Sequence, residues 1–152
     1  CPLTFWCAFA TVPFYRKHRE AAERLKWQAD GIHIIVEGTN SVIYGDQDLI
    51  SIMLDNLIAN AIQASSSGMI VTLKALPTGF SIQDTGIGMS IDVLQHACEP
   101  FWKADSARTR NKSGVGLGLS ICHHIAEKHN GKLTLDSKIG RGTTAIFTMP
   151  VF

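Results

Sequence analysis

Asp84 is followed by Gly86 and Gly88, with Ile87 between them and Met89 after, and the apolar run Phe80-Ser81-Ile82-Gln83 leads in. A strand that ends in a carboxylate and then two glycines one residue apart brings bare backbone close to a partner that a Cβ would hold away. A carboxylate repels phosphate but accepts well from an exocyclic amine, so Asp84 suits the base of a nucleotide, with the glycines as the floor of its pocket. The same spacing also describes an ordinary turn in which the Asp bonds its own backbone. A second group, Asn56, Asn60 and Gln63, stands at i, i+4 and i+7, so a helix there puts three carboxamides in one narrow stripe. Asn is a mediocre helix former. The stripe is either solvated or capping a neighbouring loop, or it offers oxygens to hydrated Mg²⁺, which prefers oxygen ligands and shares phosphate oxygens.

The third group is Gly114-Val115-Gly116-Leu117-Gly118-Leu119-Ser120, which runs into the apolar-periodic Ile121, Cys122, Ile125 and Ala126, with Asn130-Gly131 as the stop. Glycines opening a helix present free N–H groups at a positive dipole end, which suits phosphate. Ahead of them, Lys103 to Ser113 lacks periodicity and holds Lys103, Arg108, Arg110 and Lys112 against Asp105 alone. As a basic flap it would complete a triphosphate clamp; the plainer alternative is a solvated surface loop. Two commoner phosphate motifs are excluded. A P-loop fails because Gly131-Lys132 is followed by Leu133, and a Rossmann fingerprint fails because the sixth position from Gly114 is Leu119.

These groups need a frame, and 152 residues suffice for one domain with a real core. With 14 Lys+Arg against 13 Asp+Glu, the net charge of +1 gives no reason to expect nucleic acid or a membrane surface as partner. Cys1, Cys7, Cys98 and Cys122 show no zinc spacing and read as reduced thiols of a cytosolic protein. The apolar run Cys1 to Tyr15 contains Pro2 and Pro13 and is shorter than the roughly 20 residues a spanning helix needs. A chain that opens on Cys1 rather than Met is expected to be a fragment of a longer one.

Helical spacing of Phe14, Ala21, Ala22, Leu25 and Ala29 predicts an amphipathic helix with Pro13 in its first turn. Ile32–Val36 and Ser41–Tyr44 read as two strands with Glu37-Gly38-Thr39-Asn40 as their turn. Asp46 is the expected cap of a long helix to about Ala64, buried through Ile50, Met53, Leu54, Leu57, Ile58 and Ala61. Met69–Leu73 and Phe80–Gln83 read as a hairpin through Pro77-Thr78-Gly79, and it delivers Asp84. Ser90 caps a short helix with Ile91, Leu94 and Ala97 on its apolar side, ending near Glu99-Pro100-Phe101. Lys132–Leu135 and Thr143–Met149 close the chain as a strand pair, and His33, His123, His124 and His129 are not read as metal ligands.

The ordered set Asn56-x-x-x-Asn60, Asp84-x-Gly86-x-Gly88, Glu99-Pro100-Phe101 and Gly114-x-Gly116-x-Gly118 resembles the N, G1, F and G2 boxes of sensor histidine kinases, from about Pro13 to Pro150. Those boxes belong to the ATP-binding catalytic domains of the GHKL superfamily. The resemblance implies a two-layer α/β sandwich of the Bergerat type, with a mixed, mainly antiparallel sheet and helices on one face. It implies ATP and Mg²⁺ as ligands, with Asn60 at the metal, Asn56 beside it toward the phosphates, and Gln63 along the same stripe. Asp84 would take the adenine amine, and Gly86, Ile87, Gly88 and Met89 would shape the base pocket, with Thr144 supporting it from the sheet. Phe101 would belong to the lid, Lys103 and Arg108 would approach the phosphates, and Gly114, Gly116, Leu117, Gly118 and Leu119 would wrap them.

Three departures stand out. Gln63 sits where many relatives carry Lys, Cys98 where many carry a first aromatic, and no His-Glu or His-Asp with a downstream Pro supplies a phosphoacceptor. The expectation is therefore a catalytic domain over 13–152, after a linker or first edge segment at 1–12. It would phosphorylate a histidine on a separate dimerisation domain, reach a response regulator indirectly, and lie in the cytoplasmic part of a membrane-anchored kinase. A hydrolysing relative, an anti-sigma-type serine kinase and a nucleotide-binding pseudokinase are the alternatives. Position 56 bears on the first, because hydrolysing relatives place Glu there as general base and this chain has Asn.

Overall fold

The computed structural model describes residues 9–25, 30–38, 41–101 and 118–150. Lys103, Arg108, Gly114, Gly116 and Leu117, with the rest of the basic flap, lie outside the described residues. Five strands form one sheet: β2 (His33–Gly38), β4 (Ile70–Leu76), β5 (Gly79–Asp84), β6 (Lys132–Lys138) and β7 (Gly142–Thr148), in the spatial order β2-β4-β5-β7-β6. The β2–β4 pair is parallel, because α2 (Gln47–Ala64) intervenes as a crossover, and the other three pairs are antiparallel. Period-two alternation decides which face is covered. Val71, Leu73 and Ala75 of β4, Phe80 and Ile82 of β5, and Ala145 and Phe147 of β7 are buried, while Lys74 and Gln83 between them are exposed.

The helices α1 (Phe14–Leu25), α2 and α4 (Gly118–Lys128) supply the other layer, and α2 packs against both of the others. Asp46 caps α2 as expected, its Oδ1 accepting from the N–H groups of Asp48 and Leu49 at 3.0 Å each. The buried face of α2 is the six expected residues with Ile62 added. A row of rings crosses between the layers. His18 of α1 meets Phe80 edge-on at 5.3 Å, Phe80 meets Phe147 at 5.3 Å, and Phe147 meets His129 edge-on at 6.5 Å.

Four expectations are corrected. The strands from Ile32 and Ser41 form as β2 and β3 (Val42–Asp46), but they do not pair with each other. Glu37 and Gly38, read as turn residues, continue β2 opposite Lys74 and Ala75 of β4, whereas β3 forms a separate antiparallel pair with β1 (Phe9–Pro13). Pro13 closes β1 rather than lying inside the first turn of α1. In α3 (Ile91–His96), capped by Ser90, no residue is buried and Ile91 is 72% exposed, because this short helix packs on the edge strand β6 rather than over the core. In α4 the buried stripe is Cys122, Ile125 and Ala126, continued by His129; Ile121 lies off that stripe and is 39% exposed.

Candidate functional site

The residues expected to hold a base start where β5 runs out. Alternation turns Asp84 to the same side as Phe80 and Ile82, and it is 4% exposed. Its Oδ1 accepts from the N–H of Gly86 at 2.8 Å and from that of Thr143 at 3.3 Å. The Asx turn and the nucleotide acceptor are thus not rival readings. One oxygen makes the turn, and among the described residues both bonds fall on it, which leaves Oδ2 to a further donor. Burial pushes the Asp84 carboxyl above its ordinary value, against a smaller downward pull from the Gly86 and Thr143 N–H groups.

The glycines after Asp84 serve the chain's own packing. A Cβ on Gly86 would stand 2.3 Å from the Ala64 carbonyl oxygen at the end of α2, and one on Gly88 2.0 Å from that of Lys138 on β6. Gly88 also has φ +66, where a side chain is strained. The bare backbone expected to approach a ligand is pressed against backbone at both positions. The loop is pinned between the layers, with Ile87 N donating to Ala64 O at 3.0 Å, Gly140 N to Ile87 O at 2.8 Å, and Met89 N to Ser137 Oγ at 2.8 Å. Ile87 itself is 54% exposed.

The residues expected at the phosphates, as far as they are described, lie on α2 and α4. Asn56 and Asn60 are half-buried and Gln63 is exposed. The Asn56 Nδ2 donates to the Ile52 carbonyl at 2.9 Å, a bond to the preceding helical turn that uses one of its two hydrogens. Its Oδ1 turns toward Gly118, the first residue of α4: a Cβ there would stand 3.1 Å from Asn56 Oδ1 and 3.6 Å from Asn60 Nδ2. The carboxamides therefore lie beside the first residue of α4, and their oxygens together with a helix N-terminus make a set that fits a hydrated cation with phosphate oxygens. Leu119 packs partly against the core. Asp55, next to Asn56, is turned away and accepts from Arg24 Nη2 of α1 at 2.6 Å.

Two residues of the expected set are not drawn into these groups. Thr144 pairs with the exposed Gln83 and so lies on the face opposite Asp84, whereas Thr143 shares the Asp84 face and supplies the N–H. Phe101 has φ +62 and is 72% exposed at the edge of the described region. Thr143, Ser137 and His129 were not picked out by sequence reasoning. His129 is buried, its Nδ1 lies 2.8 Å from the Ile125 carbonyl, and its Nε2 accepts from Asp46 N at 3.0 Å, so the imidazole joins the end of α4 to the start of α2. The sheet register would have revealed Thr143, since counting by twos from Phe147 puts it beside Asp84; nothing in the local pattern marks the other two.

Residues 45–152 match the model of the family described as histidine kinase-, DNA gyrase B- and HSP90-like ATPases. The chain is 35% identical over 140 residues to the sensor-like histidine kinase SenX3 of Mycolicibacterium smegmatis, which covers 88% of this chain and 36% of SenX3. It spans about a third of the length of the curated relatives it first matches. In structure it resembles the mycobacterial sensor histidine kinase MprB with a TM-score of 0.79 and 24% identity, covering 93% of this chain and 97% of that one. Full-length ShkA, solved in complex with AMPPNP, superposes with a TM-score of 0.79 and 26% identity over 94% of this chain and 31% of ShkA. The chain belongs to the family of histidine kinase-, DNA gyrase B- and HSP90-like ATPases, and within it is similar to the sensor histidine kinases.

Proposed function

We propose that residues 13–152 are the ATP-binding catalytic domain of a two-component sensor kinase, which transfers the γ-phosphoryl group to a histidine on a separate dimerisation domain. The observation that carries this reading is the buried Asp84, fixed through Oδ1 by two backbone donors with Oδ2 left for an exocyclic amine. The carboxamides on α2 and the opening turn of α4 stand ready for the phosphates, and the nucleotide bound by ShkA supports the same kind of ligand here. ATP brings the phosphoryl group, and Mg²⁺, held through Asn60, would neutralise phosphate charge. The protein's part is orientation and exclusion of water: Asp84 sets the base, Asn56 orients the phosphate end, and Lys103 and Arg108 would approach from the flap.

Hydrolysis would need a base for water. The Asn56 carboxamide is not basic, and Asp55 is turned to Arg24. Transfer needs an acceptor imidazole from the dimerisation domain in line with the γ-phosphate; its nitrogen would take the phosphoryl group as ADP leaves, and that group would then pass to a response regulator. Among the described residues no helix is long and apolar enough to cross a membrane. The test is incubation of the chain with γ-labelled ATP, with and without a domain bearing the acceptor histidine. The expected result is silence alone, and acid-labile, alkali-stable label on the acceptor when it is supplied. Rapid phosphate release by the chain alone would favour a hydrolase, and silence with a cognate acceptor a pseudokinase.

A further inference from the structure

Ser137 lies on β6 and is not among the residues expected at the nucleotide, yet its hydroxyl ties β6 to two other pieces of chain, the loop at Met89 and the start of β7. A hydroxyl has one hydrogen to donate and two lone pairs to accept with. Ser137 Oγ accepts from Met89 N at 2.8 Å, donates to Gly142 O at 3.1 Å, and stands 2.8 Å from Thr143 Oγ1. With Thr143 as donor in that last contact, the full capacity of the hydroxyl is used. Each partner bears on Asp84. Met89 ends the loop that begins at the Asx turn, and Thr143 donates its N–H to Asp84 Oδ1 at 3.3 Å. Gly142 lies against the Asp84 backbone so closely that a Cβ on it would stand 2.0 Å from Asp84 O.

We infer that Ser137 is a positioning residue for the base pocket, holding the Gly86–Met89 loop and the start of β7 at a fixed spacing around the Asp84 carboxylate. The inference rests on the nucleotide reading above. Among the described residues the loop has three other hydrogen bonds: Gly86 N donates to Asp84 Oδ1, Ile87 N donates to Ala64 O, and the Ile87 carbonyl accepts from Gly140 N. Removing the hydroxyl should therefore free the Met89 end of the loop while the Ile87 end stays docked. That localised loosening separates a positioning role from general support of the fold.

The test is Ser137→Ala beside Ser137→Thr, each in the whole chain, read by residue-resolved amide exchange without nucleotide and by calorimetric titration with Mg-ATP. In Ser137→Ala, Met89 should lose amide protection while Ile87 and the core amides of Leu57 and Leu73 keep theirs, and ATP affinity should fall about three- to tenfold, the worth of one ordinary hydrogen bond. Ser137→Thr, which keeps the hydroxyl, should restore both. Unchanged ATP affinity with Met89 deprotected would overturn the proposal, as would loss of protection throughout the core or failure of Ser137→Thr to recover binding. Failure of the unaltered chain to bind ATP would instead overturn the nucleotide reading, and this proposal with it.

Discussion

Asp84→Asn separates the structural duty of one side chain from the ligand-binding duty proposed for it, because the two fall on different oxygens. The amide carbonyl can keep the Oδ1 bonds from Gly86 N and Thr143 N, so the Asx turn and the link to β7 should survive. What changes is the other atom, where an acceptor becomes an NH₂ donor facing the exocyclic amine of the base. A hydrogen bond to a charged group is worth about 1.5–3 kcal/mol, so Mg-ATP should bind about ten- to a hundredfold more weakly. Folding stability should not fall. Burial pushes the Asp84 carboxyl above its ordinary 3.8, so the folded protein holds this proton more tightly than the unfolded chain does. The contribution of Asp84 to stability is therefore present at low pH and is lost as pH rises from 3.8 through the folded pKa. Asn carries no such titration, so the parent chain should lose stability relative to the variant across that window, with a constant gap on either side. Titration calorimetry at neutral pH and urea unfolding over a pH series measure the two effects. Unchanged ATP affinity would refute the base assignment, and a parent chain that gained stability relative to Asn across the window would refute the burial argument.

Two further predictions concern packing. Gly88→Ala should destabilise much more than Gly140→Ala, although both positions have positive φ. Gly140 has nothing within 4 Å of the added methyl and should show only the backbone strain of about 1–2 kcal/mol, whereas Gly88 adds a contact at 2.0 Å from Lys138 O. Thermal unfolding should register a few degrees for Gly140→Ala and clearly more for Gly88→Ala, and equal losses would count against the docking of the loop on β6. Cys122 is buried, and burial with a smaller contribution from nearby Cys98 pushes its thiol up to about 12. Native alkylation at pH 8, read by peptide mass spectrometry, should modify Cys98 before Cys122, which should react only in denaturant; early reaction of Cys122 would mean that α4 leaves the core readily.

Local patterns made the elements legible, because each rests on neighbours in sequence. The 3.6-residue period and the Asp46 cap of α2 appear as read, and so does the β4–β5 hairpin around Pro77-Thr78. Strand partners were less legible, since β-branched runs announce a strand without saying what it pairs with. That is why β2 and β3 read as neighbours although they belong to different sheets. The placement of Thr144 follows from the same gap: one register step separates it from Thr143, and a single step moves a side chain to the other face of a sheet. His129 was hidden for another reason. Its partners, Ile125 O and Asp46 N, are backbone groups, one of them 83 residues away, and no spacing of side chains encodes them.

The glycine motif and the asparagine stripe looked like independent signals in the sequence, and the structure joins them through one helix. Asn56 and Asn60 lie in the middle of α2, and its last carbonyl, that of Ala64, receives Ile87 N and meets the bare Cα of Gly86. Eight residues from Asn56 to Ala64 amount to a rise of about 12 Å, so in the proposed site α2 sets the spacing between the phosphate end and the base end. It is suited to that task, because its apolar face from Ile50 to Ile62 is buried and its N-terminus is held twice, by the Asp46 cap and by the His129 imidazole on Asp46 N. On this view Gly86 lets the base-pocket loop come within bonding distance of the end of α2, and its share in nucleotide recognition is carried by the place it secures for Asp84. A side chain at Gly86 should therefore act on the base end first, leaving the carboxamides and Gly118 where they are.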